Sequence, residues 1–192
     1  MREKIFSSTS IWIILLSLYF CSCTCPIPGD SNVKNVDFNE LVGEWFMVAG
    51  TPVREKVGKC LHFSVETNGT NSFSMNFSSN SPVNHQRVSW KVVGERRENE
   101  TLATWQLNGS PNVLGPFHHK MLAMNNTHYC AMIVCTDNNY IRYRYRKAFG
   151  MIWSREKSLP SEELTLLKDE ISQYINRHDI VDVDNSCPGI SF

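Results

Sequence analysis

Three runs in the middle of the chain alternate apolar and polar residues with a period of two. This limits the fold more than any other feature of the sequence. Leu61, Phe63 and Val65 alternate with His62, Ser64 and Glu66. Phe73, Met75 and Phe77 alternate with Ser74, Asn76 and Ser78. Val88, Trp90 and Val92 alternate, less cleanly, with Ser89, Lys91 and Val93. Successive side chains of a strand point to opposite faces, so each run has one buried and one wet face. Asn68-Gly69-Thr70-Asn71 and Asn80-Ser81-Pro82 supply turn chemistry between the runs. Further runs cover Thr101 to Leu107, Phe117 to Met124, Tyr129 to Cys135 and Phe149 to Trp153. The Thr101 run shows no clear parity and does not choose between Thr104 and Trp105 as a wall residue. Short strands at this spacing fit a sandwich or an up-and-down barrel. An eight-stranded barrel leaves room for one small ligand. One helix stands apart. Leu159-Pro160-Ser161-Glu162-Glu163 opens it, with proline and acids in the first turn. Leu164, Leu167, Ile171, Tyr174 and Ile175 form its apolar stripe, which would pack on the outside of a barrel.

The first residues read as an export signal. Arg2 and Lys4 precede the apolar run Ile11 to Phe20, and small or neutral residues follow at Cys21-Ser22-Cys23-Thr24. A bilayer span needs about 20 apolar residues, so a cleaved signal fits better than an anchor. Residues 1–24 are therefore expected to be a signal peptide and 25–192 a single secreted domain. Nothing later is apolar enough to span a membrane. Nineteen basic residues balance nineteen acidic ones, which leaves no electrostatic footprint for nucleic acid.

Removal of the leader leaves Cys25, Cys60, Cys130, Cys135 and Cys187. A secreted chain oxidises most of these, and the odd count leaves one over. Spacing alone does not choose among the pairings. The cysteines lack paired C-x-x-C spacing, which argues against zinc or another metal. Asn68, Asn76, Asn99, Asn108 and Asn125 each open an Asn-x-Ser/Thr acceptor for glycosylation. Asn108 is the weakest, because Pro111 follows its serine.

Two distant motifs add a family resemblance. Asn39-Glu40-Leu41-Val42-Gly43-Glu44-Trp45-Phe46 resembles the first motif of the lipocalins. Met151-Ile152-Trp153-Ser154-Arg155, followed by Leu159-Pro160, resembles the third. The likeness covers nearly the whole of 25–192 and is greatest to the apolipoprotein D and insect pigment-binding branch. It implies a mainly β fold: an eight-stranded antiparallel up-and-down barrel with one C-terminal helix outside. In the family the motif tryptophan plugs the closed end and the arginine stacks over it, roles that fall to Trp45 and Arg155 beside Gly43. A guanidinium over an indole face gains cation–π energy. The second motif is degraded to Met124-Asn125-Asn126, which puts that loop's hydrogen bonding at the closed end, and any receptor contact there, in question. The branch also implies the disulfides Cys25–Cys135 and Cys60–Cys187. Cys130 is then left over. Five residues from Cys135 on a regular strand, it faces the cavity if Cys135 faces out.

The resemblance implies a secreted carrier of a small hydrophobic ligand: a lipid, fatty acid, retinoid or bilin-type pigment. Neither catalysis nor a cofactor is expected, although some members of the family are isomerases that use a cavity thiol. The inward candidates are Met47, Leu61, Phe63, Val65, Phe73, Met75, Phe77, Val88, Trp90 and Val92. Such a lining is apolar and aromatic, and about half of it is expected only to fill the barrel. Arg54, Lys56 and Lys59 follow the first strand near the opening. Solvated charge explains each of them better than a carboxylate site does. Adjacent His118 and His119 point to opposite faces of a strand and, with His128, do not make a metal site. Tyr140 to Lys147 alternates aromatic and basic residues, a weak patch for anionic lipid heads or a polyanion. No nucleophile elbow, phosphate loop or H-E-x-x-H helix occurs. Two alternatives to the carrier are a protein-binding or inhibitory lipocalin of salivary type and an isomerase using Cys130.

Overall fold

The alternating runs become strands that close on themselves. The computed structural model describes residues 31–52, 59–80, 86–97, 104–109, 116–136 and 148–187. The strands are β1 (Gly43–Gly50), β2 (Lys59–Thr67), β3 (Ser72–Asn80), β4 (Arg87–Glu95), β5 (Thr104–Gly109), β6 (Phe117–Asn125), β7 (Tyr129–Thr136) and β8 (Ala148–Ser154). Each pairs antiparallel with the next, and β1 pairs with both β2 and β8. The result is an eight-stranded up-and-down barrel. A 3-10 turn, Phe38–Leu41, leads into β1 at one end. The expected signal peptide and Cys25 lie outside the described residues, as do Arg54, Lys56, Asn99 and Tyr140 to Lys147.

Closure differs between the two ends. The β1–β2 ladder runs only from Gly43↔Val65 to Phe46↔His62. Towards the other end, the mouth, the C-terminal tail lies between the two strands. A short strand, β9 (Val181–Asp182), pairs with Ala49 and Gly50 of β1. Val183 N–H donates to Val48 O and Cys60 N–H to Asp184 O, each at 2.9 Å. Lys59 and Asp184 form an ion pair at 2.8 Å, and Cys60 is disulfide-bonded to Cys187. Cys60 has φ of 55°, and the β2–β3 register shifts between Lys59 and His62. A left-handed cysteine is disfavoured sterically, and here the tail bonds hold it. Cys135 is also disulfide-bonded, while its expected partner, Cys25, lies outside the described residues.

Alternation divides the apolar residues into two cores. The interior core holds Trp45, Phe63, Val65, Phe73, Met75, Met121, Cys130, Met132 and Trp153, among others. The outer core lies between the sheet and the helix α1 (Ser161–Ser172), with Phe46, Leu122, Ala131, Ile133 and Ile152 facing Leu167, Ile171 and Ile175. The helix therefore packs outside the barrel, as expected. The β-carbon of any residue but glycine at 150 would come within 2.5 Å of Ile171 Cγ2, so Gly150 lets the helix approach β8 closely. His128, in the β6–β7 turn, bonds Glu163 of α1 at 2.9 Å, and Lys168 pairs with Asp182. Tyr174 departs from the expected stripe. The helix ends at Ser172, the chain turns there, and Tyr174 is exposed while Ile175 remains buried.

Ile171 is fully buried between α1 and the sheet. Ile171→Ala is expected to cost about 2–5 kcal/mol of unfolding free energy in urea. A loss below 1 kcal/mol, on the order of a surface substitution, would mean that the helix contributes little to the barrel.

Candidate ligand-binding site

The floor of the barrel is built first by the chain entering β1. Trp45 is fully buried, and its indole Nε1–H donates to Leu41 O at 2.7 Å. The guanidinium of Arg155 lies 3.7 Å from the Trp45 ring centroid, on the outer side. It donates to Glu40 O at 2.9 Å, Glu44 O at 3.1 Å and Asn126 O at 3.4 Å. Partial burial lowers its pKa, but a guanidinium stays charged in proteins. Gly43 has φ of +106°, and a β-carbon there would lie 3.1 Å from Arg155 Nη1. Backbone conformation and close approach both favour glycine. The degraded second motif still joins this network, because Arg155 uses the main-chain oxygen of Asn126. Arg155 N–H also donates to His128 O at 2.9 Å.

A ladder of rings climbs from this floor. Trp45 and Trp153 are 6.2 Å apart, and Phe63 meets Trp153 edge-on at 4.5 Å. Phe63 stacks on Phe77 at 4.6 Å, and Phe77 on Trp90 at 5.3 Å with planes 2° apart. Strand register causes the last two contacts, since Phe63, Phe77 and Trp90 are direct cross-strand partners on β2, β3 and β4.

Exposure divides the expected lining in two. Met47, Phe63, Val65, Phe73, Met75 and Val92 are buried among interior neighbours. Leu61, Phe77 and Trp90 pack on the same core but are only half-buried. Phe117, at the mouth end of β6, behaves likewise and was not among the expected lining residues. Val88 is 43% exposed, because it is the second residue of β4 and stands at the rim, not within the wall. Of the expected lining, the lower residues are thus packed shut, and those that keep open apolar surface lie towards the mouth.

Two titratable groups are buried with the interior. His119 shares the parity of Phe117 and Met121, is 1% exposed and donates from Nδ1 to Phe117 O at 3.1 Å. Burial holds its pKa down to about 3. Sequence reasoning separated His118 from His119 by parity but did not identify His119 as the buried one. Only the register against β7, His119↔Val134, makes that choice. Cys130 is a free thiol sealed in the interior core, opposite Trp153 in register. Burial pushes its pKa up, away from the thiolate form. Lys59, one of the expected mouth cations, is paired with Asp184. Among the described residues no cluster of histidines, cysteines and carboxylates could hold a metal. The acceptors Asn68, Asn76 and Asn125 are exposed, Asn68 in the β2–β3 turn and not on a strand face. Asn108 falls on β5.

No family model and no curated protein matches the sequence. Solved structures do. Insecticyanin from the tobacco hornworm Manduca sexta is 17% identical, with 82% of this chain and 85% of that chain covered and a TM-score of 0.62. Lobster apocrustacyanin A1 is 15% identical over 85% of this chain and 93% of that chain, with a TM-score of 0.61. The siderocalin Ex-FABP, described as acting through dual ligand specificities, is 10% identical over 78% and 97%, with a TM-score of 0.59. At these identities the likeness is one of fold, and the fold is the lipocalin barrel.

Trp45→Ala is expected to cost about 3–5 kcal/mol, as for other buried tryptophans. Arg155→Lys should cost on the order of 1–2 kcal/mol, since an ammonium lacks the planar fork. Urea unfolding measures both, and wild-type midpoints for both would remove the closed-end account. His119 also sets a pH dependence. Its folded pKa lies below its unfolded value near 6.5, so between those values the unfolded chain binds more protons. The neutral ring's contribution is present above pH 6.5 and is lost as pH falls towards 3. Between pH 6.5 and 5 the wild type should lose up to about 2 kcal/mol more than His119→Phe. Equal losses would mean that His119 is not buried neutral.

Proposed function

We propose that this protein is a secreted lipocalin, of the apolipoprotein D and insect pigment-binding branch, that carries a small hydrophobic ligand. One observation carries the reading. Half-buried Leu61, Phe77, Trp90 and Phe117 present apolar surface inside the mouth half of the barrel, above a packed floor. A monomeric barrel with no cargo would gain by filling that space with side chains, whereas a ligand site keeps it. Leu61, Phe77 and Trp90 would contact the ligand, with Val88 at its entrance. Met47, Phe63, Val65, Phe73 and Met75 would form the support beneath. Gly43, Trp45 and Arg155 would close the other end.

The leader-like residues 1–24 and the disulfide Cys60–Cys187 support export into an oxidising compartment. No described helix is long and apolar enough to cross a membrane. The exposed acceptors Asn68, Asn76 and Asn125 would carry glycans, and Asn125 would place one beside the closed end. The burial of Cys130 gives the isomerase alternative no support, since catalysis there needs a reachable thiolate.

Titration of the delipidated protein with an apolar, environment-sensitive fluorophore tests the reading. One site per chain is expected. Phe77→Glu should abolish binding, and Val93→Glu, on the outer face of β4, should leave it intact. Absence of saturable binding, or equal loss in both variants, would contradict a ligand site in the barrel.

A further inference from the structure

We propose that the C-terminal tail, residues 181–187, is a side gate in the barrel wall, latched by the Cys60–Cys187 disulfide and released when a dithiol reduces that bond. The gate gives onto the chamber of the carrier reading and rests on that reading.

The tail is a piece of the wall and not a band laid over it. The β1–β2 ladder stops at Phe46↔His62, and beyond that rung the tail lies between the two strands. On one side β9 pairs with Ala49 and Gly50, and Val183 N–H donates to Val48 O. On the other side Cys60 N–H donates to Asp184 O. Val183 is buried in the interior core with Met47 of β1, and Leu61 of β2 packs against the same core. One valine thus fills the seam from within. Withdrawal of the tail would take these partners from the backbone groups of Val48 and Cys60 and open the seam beside half-buried Leu61.

The tail is anchored before the seam and lightly held across it. Ile180 is buried in the outer core with Ile171 and Ile175. From there the chain crosses the seam to Cys187. The ion pairs Lys59–Asp184 and Lys168–Asp182 each use an exposed carboxylate, for which water competes. Asn185 donates to Met47 O and Lys157 O, but its buried Oδ1 has no partner, which offsets part of that gain. Cys60 holds a φ of 55°, disfavoured for any residue with a β-carbon, and release of the tail lets it relax. The disulfide is therefore the main restraint on the tail.

The latch is reached from outside. Cys187 is only half-buried, while Cys60 is sealed. One thiolate of the dithiol attacks Cys187 Sγ, the S–S bond breaks, and Cys60 leaves as the thiolate. The second thiol then displaces Cys187 from the mixed disulfide. The reductant departs as a disulfide, and its two protons pass to Cys60 and Cys187. Exchange with an external disulfide reverses the step and relatches the tail.

Amide hydrogen exchange and ligand kinetics together test the gate, with the apolar fluorophore as probe. Cys187→Ser cuts this latch and leaves the disulfide of Cys135 intact. In that variant the amides of Cys60 and Val183 should lose protection while those of β6 and β7 keep it. Uptake and release of the fluorophore should both quicken several-fold, with Kd changed far less, because a gate alters the path and not the site. If the variant folds poorly, wild-type protein measured before dithiol treatment, after it and after reoxidation supplies the same readings. Amides of Cys60 and Val183 that stay protected once the latch is cut overturn the proposal. So does a freed tail with unchanged fluorophore rates, or loss of protection across the whole barrel. Those outcomes leave the carrier reading standing. Absence of saturable fluorophore binding in the untreated protein overturns the carrier reading and the gate with it.

Discussion

The guanidinium of Arg155 over the face of Trp45 is the contact on which the rest of the barrel depends. At 3.7 Å it seals one end of the sheet from outside, and its hydrogen bonds join the 3-10 turn, the start of β1 and the β6–β7 turn. Each of these bonds goes to a main-chain oxygen. The closure therefore tolerates change in the side chains around it, including the Met124-Asn125-Asn126 departure from the family pattern. Gly43 is the exception, because its positive φ strains any other residue and a β-carbon there would press on Arg155 Nη1 at 3.1 Å. With that end fixed, the rings of Trp45, Trp153 and Phe63 fill the lower interior, and the upper interior need not be filled to keep the barrel standing.

The mouth half is held by different means. There β1 and β2 no longer pair, and the C-terminal tail bridges them through Val183, Asp184 and the Cys60–Cys187 bond. The sequence separation of that disulfide is 127 residues. In the chain-entropy model, closing a loop of that order stabilises by about 4–5 kcal/mol. Asn185 reinforces the strap by donating to Met47 O at 2.9 Å and Lys157 O at 3.2 Å. A covalent strap suits a half-barrel that keeps open apolar surface, because it replaces packing energy forgone inside.

The elements were legible where a local pattern fixes the answer. Period-two runs located β2, β3 and β4, and Gly43, Trp45 and Arg155 marked the closed end. What could not be read depended on register, bulges and chain ends. Val88 has the same parity as Trp90, but only its place at the start of β4 leaves it exposed. Tyr174 fits a helical stripe that stops at Ser172. The burial of His119 follows from its register on β7, upstream of the irregularity between Met121 and Ala123. The division of the lining into sealed and half-buried residues is a matter of rotamers and volumes, which alternation does not encode.

Together these features describe a barrel with an aromatic floor, a strapped rim and a ring-lined chamber between them. The central claim is that the chamber holds cargo. Native mass spectrometry of the protein secreted from eukaryotic cells, after enzymatic removal of glycans, tests it most directly. The account predicts a discrete added mass that leaves on denaturation. A chain that carries nothing, from several hosts and after addition of apolar probes, would contradict it.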